Sequence, residues 1–476
     1  MMASPLKLSL EQRLAQQLRL GSTEDSEEGV TTSTPAAAIP SRHLELAPHN
    51  VRVRAYLKEN NVTFRHLDEL KEEGWNASEG DAYFKKQREA ADQKDDEQEK
   101  VFHRVHLEIG NELRSFGAFE VEGLEHGNIN ALNLCMAPGA YTAAMLKQYP
   151  DASVCGITLP VRSGGHKMII PFGPQDPRVD VKFLDITMLI REFLIEPSGV
   201  PNDHPDAANF IMSSPFYGKE FELVLCDGQA LRTHERAKYR EMTREGRRLL
   251  AAQLIFGMTR IKQGGTFVIL LHKAEAWDTI CLLKSFCAFA SVALFKPVSG
   301  HRQRSTFYLV AKDVQSASTE ARMFIDDCKE TWTTATLGGE EGTGADPAMP
   351  TDAEVDALLH DFGPALMHLA QEIWSIQADA LDHSRWHPGS ATSKTRRSSS
   401  LQSPTFSETG EPSTPRHPNS VLGARSRWQP SSPNSPTSPG AQFPKHPLAS
   451  RSMNQQKYIY PEVDEDKMKK MAGRWR

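Results

Sequence analysis

At four places in this 476-residue chain, a structure-breaking or reactive residue stands at the end of an apolar run. In ALNLCMAPGAYTAAML (131–146), the run Ala131, Leu132, Leu134, Cys135 stops at Pro138–Gly139, and a helix-like stretch begins at once. VKFLDIT closes on Asp185, FELVLCDG on Asp227, and TFVILLHK on Lys273, two residues past Leu271. An Asp directly after a buried strand is costly unless it is paired or held at a site. A glycine in a strand-to-helix joint lets the backbone come close to a ligand, and the helix's first turn offers free N–H groups. The joint is neither GxGxxG nor a Walker loop, so a dinucleotide or an NTP phosphate is not its natural ligand.

These residues need a frame that brings strand ends together. From Ala131 to Val314 the chain alternates short apolar runs (ALNLCM, ASVCGITL, VDVKFL, FELVLCD, TFVILL, SVALF, STFYLVA) with helical stretches. Most intervals are long enough for a crossover helix, which predicts an α/β domain with a mainly parallel, seven-stranded sheet flanked by helices. In such a sheet ligands collect at the carboxyl ends of the strands, near the point where strand order reverses. All four places stand at such ends.

The flanks read differently. Residues 1–45 are rich in Ser, Thr, Pro and Glu from residue 21 onward and are expected to be disordered. Residues 46–114 predict a helical extension of two or three helices, the last with Val101, Val105, Leu107, Ile109 and Leu113 on one face. The α/β domain is assigned to 115–314. Residues 315–382 hold a linker (GGEEGTGADPAMP) and one or two amphipathic helices, and 383–476 form a Ser/Pro/Arg-rich tail expected to be disordered, with recurrent Ser-Pro and Thr-Pro pairs suited to proline-directed phosphorylation.

Composition excludes several classes. Lys plus Arg is 55 and Asp plus Glu is 61, a net charge of −6 that does not announce a nucleic-acid binder, although an average hides local patches. The six cysteines contain no CxxC pair and lie mostly in apolar runs, as reduced thiols of an intracellular protein do; neither a disulfide scaffold nor a metal site is expected. No run of 18 apolar residues exists, so no membrane span is expected. Nucleus or cytoplasm is the expected location, ahead of the mitochondrion, because Glu11 interrupts a basic, Leu-rich start.

The joint LNLCMAPGAY resembles the first motif of the FtsJ-like (RrmJ-type) ribose 2′-O-methyltransferases, D-L-C-A-A-P-G-G-F, with Asn133, Met136 and Ala140 as the departures. The resemblance runs from about Phe102 to Lys312, with six pieces in the family's order. It implies a Rossmann-like sheet, S-adenosylmethionine as cofactor, and an RNA substrate, ribosomal RNA among the possibilities. It implies a cofactor set of Asn133, Cys135, Ala137, Pro138, Gly139, Ala140, Tyr141, Thr158, Asp185 and Asp227. In that set Thr158 stands where the family has a ribose-binding acid, and Asp185 where an acid accepts from the adenine amine. Asp185 is equally well placed to cap the helical stretch MLIREFL, and the two roles are compatible.

The family's catalytic set is Lys-Asp-Lys-Glu. Asp227 and Lys273 match its middle members, while Val105 stands at the first Lys and Thr306 at the Glu. Two readings follow: a methyltransferase with a rewired site, or a degenerate FtsJ-like domain that binds RNA or protein without turnover. A scaffold working through its phosphorylatable tail is a third. The stretch 231–248 carries seven Lys or Arg against three Glu, and Lys296, Arg302 and Arg304 add charge; these read either as a phosphate-binding surface or as a solvated helix face.

Overall fold

A computed structural model describes residues 47–77, 82, 85–86, 96–124, 128–169, 176–193, 199–230 and 242–384. The expected disordered N-terminus, the Ser/Pro-rich tail beyond 384 and the basic stretch from 231 to 241 lie outside the described residues. The chain divides into two units, Met1–Asp68 with Asp96–Ala378, and Glu69–Asp95 with Asp379–Arg476. In the second, Ser384 Oγ donates to Ala380 O at 3.0 Å. The sheet belongs entirely to the first.

Seven strands form one sheet in the order β3-β2-β1-β4-β5-β7-β6: β1 (Asn130–Leu134), β2 (Ser153–Thr158), β3 (Val179–Phe183), β4 (Phe221–Cys226), β5 (Ile261–His272), β6 (Ser291–Phe295) and β7 (Thr306–Val314). The first five are parallel, and β7 runs antiparallel between β5 and β6. Every residue of β4 is buried, as in a strand covered on both faces, and its one charged residue, Glu222, accepts from Asn130 N at 2.7 Å. The chain builds outward from β1 to β3 and then returns to lay β4 on β1's other side. The crevice at their carboxyl ends is therefore where order reverses.

The helices are α1 (Pro48–Asn60), α2 (Val62–Asn76), α3 (Asp96–Phe116), α4 (Ala140–Gln148), α5 (Ile190–Phe193), α6 (Met242–Met258), α7 (Trp277–Phe289), α8 (Thr319–Leu337) and α9 (Asp352–Asp382). One face of the sheet is covered by α3 and α4, in a core that includes Ile109, Leu113, Tyr141, Met145, Leu270, Tyr308 and Val310. Gly110 lets α3 approach α4, since a Cβ there would sit 3.0 Å from Ala144 Cβ. The two or three helices expected before the sheet are α1 to α3, and the second expected helical region is α9, one 31-residue helix that contains Pro364. The extension is docked on the sheet domain: Asn50 Oδ1 accepts from Trp277 N at 2.9 Å, at the start of α7.

Candidate active site

The joint after β1 is held from three sides. Met136 N donates to Ile157 O on β2 at 3.0 Å, Ala137 N donates to Thr158 Oγ1 at 3.2 Å, and Gly139 N donates to Met136 O at 2.7 Å. The Ala137–Pro138 peptide bond is cis. Gly139 has φ 99° and caps α4, a left-handed conformation that a side chain would strain. Cys135 takes a left-handed φ of 62° without that freedom. Asn133 is fully buried beneath the loop: Nδ2 donates to Thr142 Oγ1 at 2.9 Å, tying strand to helix, while Oδ1 has no hydrogen-bond partner. Met136 fills the space over Gly156, where a Cβ would collide with its side chain. Ala140 and Tyr141 are buried in the first turn of α4. Thr158 is buried too, and the one bond its hydroxyl makes here braces the loop.

The loop after β4 closes against this one. Asp227 N donates to Leu134 O at 3.4 Å, and Gly228 exchanges hydrogen bonds with the Gln253 amide (2.8 and 3.2 Å). A Cβ on Gly228 would collide with Cys135 Sγ, so glycine is required for the two loops to meet. Asp185 caps the short 3-10 turn after β3, its Oδ1 accepting from Thr187 N at 2.9 Å and Thr187 Oγ1 at 2.7 Å. Burial pushes the Cys135 thiol up to about 12, with the charges of Asp185 and Asp227 adding to it. Two carboxylates thus flank the loop.

Asp227 ends a chain of buried hydroxyls. Tyr308, on β7, donates to Asp227 Oδ1 at 2.8 Å, and Tyr141, on α4, lies 2.8 Å from Tyr308 oxygen. Burial raises the Asp227 carboxyl to about 7, against the two tyrosine hydrogen bonds, which favour the anion. Burial likewise keeps both phenols well above their ordinary value.

Lys273 follows the last residue of β5 with φ 49°, a left-handed turn, and its N–H donates to Ser305 O at 2.9 Å. Non-glycine residues in this region cost about 1–3 kcal/mol and concentrate at functional sites. Lys273 and Cys135 are two of four such residues among the described ones. Beside it, His272 Nδ1 lies 2.9 Å from Thr306 Oγ1. Val105 is partly buried against Gly300, where a Cβ would fall 2.8 Å from Val105 Cγ1. The polar groups brought to this corner are His106, His272 and His301, none of which the sequence singled out; His272's position directly before Lys273 was the available signal.

The basic groups expected to face RNA divide. Arg248 is fully buried, with Nη1 3.6 Å from Asp206 and 3.5 Å from Glu245. Arg244 and Arg247 pair with Asp346. Lys296 is buried and donates to Thr306 O at 2.9 Å. A pattern of charge along a helix does not distinguish a surface cation from one that bridges buried acids, and here these four hold the structure together. Arg302 and Arg304 are exposed.

A mostly parallel seven-stranded sheet flanked by helices, with its crevice at the carboxyl ends of β1 and β4, is a Rossmann-like α/β fold. Within the chain, residues 114–314 match the family described as FtsJ-like methyltransferase. Solved structures similar to the chain include an rRNA methylase from Streptococcus thermophilus (8% identity, 42% of this chain and 95% of that one, TM-score 0.25). Others are the N-methyltransferase NodS from Bradyrhizobium japonicum WM9 (13% identity, 46% and 99%, TM-score 0.27) and a fibrillarin/Nop5p complex (12% identity, 39% and 73%, TM-score 0.24). No curated protein matches the chain.

Proposed function

We propose that the domain transfers a methyl group from S-adenosylmethionine to a ribose 2′-hydroxyl of RNA. The observation that carries this reading is the Gly139 loop flanked by the Asp185 and Asp227 carboxylates, both of which act on Cys135, on the same sheet edge as Lys273. That donor set fits a cationic, adenine-bearing cofactor: acids on either side, and a glycine backbone open to close approach. The group, when bound, supplies an electrophilic methyl on a sulfonium. With the group bound, Asp185 would accept from the adenine amine and the backbone at 135–139 would hold the amino-acid portion. Thr158 braces that loop from below.

A 2′-hydroxyl is a poor nucleophile at neutral pH and needs a nearby cation or base. Lys273 supplies the positive charge that stabilises developing alkoxide. Asp227, fixed by Tyr308 and Tyr141, forms a rigid wall beside it. Exposed Arg302 and Arg304, on the turn between β6 and β7, are suited to backbone phosphates.

The test is tritium transfer from labelled S-adenosylmethionine to total cellular RNA and to DNA, with binding of the donor measured in parallel. Lys273→Ala is expected to lower transfer to RNA by at least about 10²-fold while changing donor affinity only a few-fold. Donor binding without transfer to any RNA would instead support a binding module without turnover. That second reading is favoured by one observation: Val105 is packed against Gly300 and Thr306 is bonded to His272, so neither family charge is present.

A further inference from the structure

Burial of Val105 and the loss of the family Glu leave a corner that three imidazoles enter from three elements: His106 from α3, His272 from the end of β5 and His301 from the turn between β6 and β7. Two of them stand against the tyrosine pair. The His106 ring stands edge-on to Tyr141 with centroids 5.6 Å apart, and the His301 ring lies 6.4 Å from Tyr308. His301 is only 8% exposed, and neither of its ring nitrogens has a hydrogen-bond partner. An unsatisfied buried polar atom is costly, so this corner is unusually polar for a site that binds nothing.

We propose that His272 is a further catalytic residue of this domain: the group that accepts the proton of the substrate hydroxyl during methyl transfer. The proposal rests on the methyltransferase reading. His272 pairs in register with Thr306 at the open end of β5 and β7, which puts both side chains on the tyrosine face of the sheet. Thr306 Oγ1 engages Nδ1 at 2.9 Å and so orients the ring, leaving Nε2 as the nitrogen for a ligand. The residue is solvent-accessible, and the next one is Lys273, whose left-handed backbone turns the chain at the cleft. His106 is also oriented, its Nδ1 2.8 Å from Phe102 O, but it stands on α3, whereas His272 stands at the strand end beside Lys273.

Although one edge of the ring is open to solvent, the protein packed around it, with Lys273, Arg304 and Lys296 nearby, pushes it down to about 4, so it is neutral and able to accept a proton at physiological pH. A bound phosphodiester near those three cations offsets their charge and strengthens the base when substrate arrives. In the step, a lone pair of the hydroxyl oxygen forms the new O–C bond to the methyl. The C–S bond breaks with its pair remaining on sulfur, leaving a neutral thioether. The hydroxyl proton passes to His272 Nε2 and then to water.

Labelled methyl transfer to RNA by the full chain tests this, with donor binding and melting temperature followed for each variant. His272→Ala is expected to lower kcat by about 10²-fold or more at unchanged KM for donor, and added imidazole is expected to restore part of the rate. Thr306→Val, which leaves the imidazole but not its brace, is expected to lower kcat by less and to gain nothing from imidazole. It also keeps the proposal testable if His272→Ala fails to fold. Wild-type transfer with His272→Ala active to within twofold overturns the role of His272, as does a full-rate Thr306→Val when His272→Ala is unfolded. Donor binding with no transfer by the wild type overturns the methyltransferase reading itself.

Discussion

Replacing Asp227 with Asn isolates the electrostatic character of the site. The Asp227 carboxyl titrates at about 7 in the folded protein, against an ordinary 3.8, because burial opposes its charge more than the tyrosine hydrogen bonds favour it. Below pH 4 the group is protonated in both folded and unfolded chains and has no effect. Between 4 and 7 the folded state binds the extra proton, so stability falls as pH rises; above 7 the whole penalty is present. At 1.36 kcal/mol per pH unit, the span from 3.8 to 7 gives a penalty of about 4 kcal/mol. Asp227 is partly exposed, and solvent screening brings the expected figure to about 2 kcal/mol. An Asn side chain keeps an oxygen that accepts from Tyr308 and never ionises. Asp227→Asn is therefore expected to be more stable than wild type at pH 8 by about 2 kcal/mol, with the gain vanishing near pH 4. Denaturant unfolding of both proteins from pH 4 to 8 measures it, and effects of other titrating groups cancel in the difference. A variant less stable than wild type at pH 8 would refute the reasoning and indicate an ionised Asp227 held by a cation.

Arg248→Ala leaves Asp206 and Glu245, both buried, without their shared cation, and is expected to cost about 3–5 kcal/mol in denaturant unfolding. Gly139→Ala forces a side chain into the left-handed joint. It is expected to cost about 1–2 kcal/mol in unfolding and to weaken S-adenosylmethionine binding measured by calorimetry.

The strand ends carrying Asp227 and Lys273 were legible in the chain because each closes an apolar run that the sheet buries, whereas Asp185 follows β3, an edge strand with no buried residue. The Pro-Gly joint was legible for the same reason: only glycine adopts φ 99° without strain, so the break marks itself. A double use of Asp185 was also foreseeable, and its capping of the turn after β3 is seen directly.

What only the tertiary structure decided is which groups meet. Tyr141 and Tyr308 are 167 residues apart, and their joining to Asp227 depends on α4 lying over β7. The dyad of His272 and Thr306 depends on the antiparallel register of β5 and β7, which a shift of one residue would send to the opposite face. Arg248 and Lys296 were expected among surface cations and are instead buried, because acids and carbonyls from distant segments surround them. Apolar patterning along the chain sets where strands stop and which residues stand at their ends. The charge state of Asp227, and the contacts that Val105 makes with Gly300 and Thr306 with the His272 imidazole, arise from desolvation and register, which exist only once the sheet has closed.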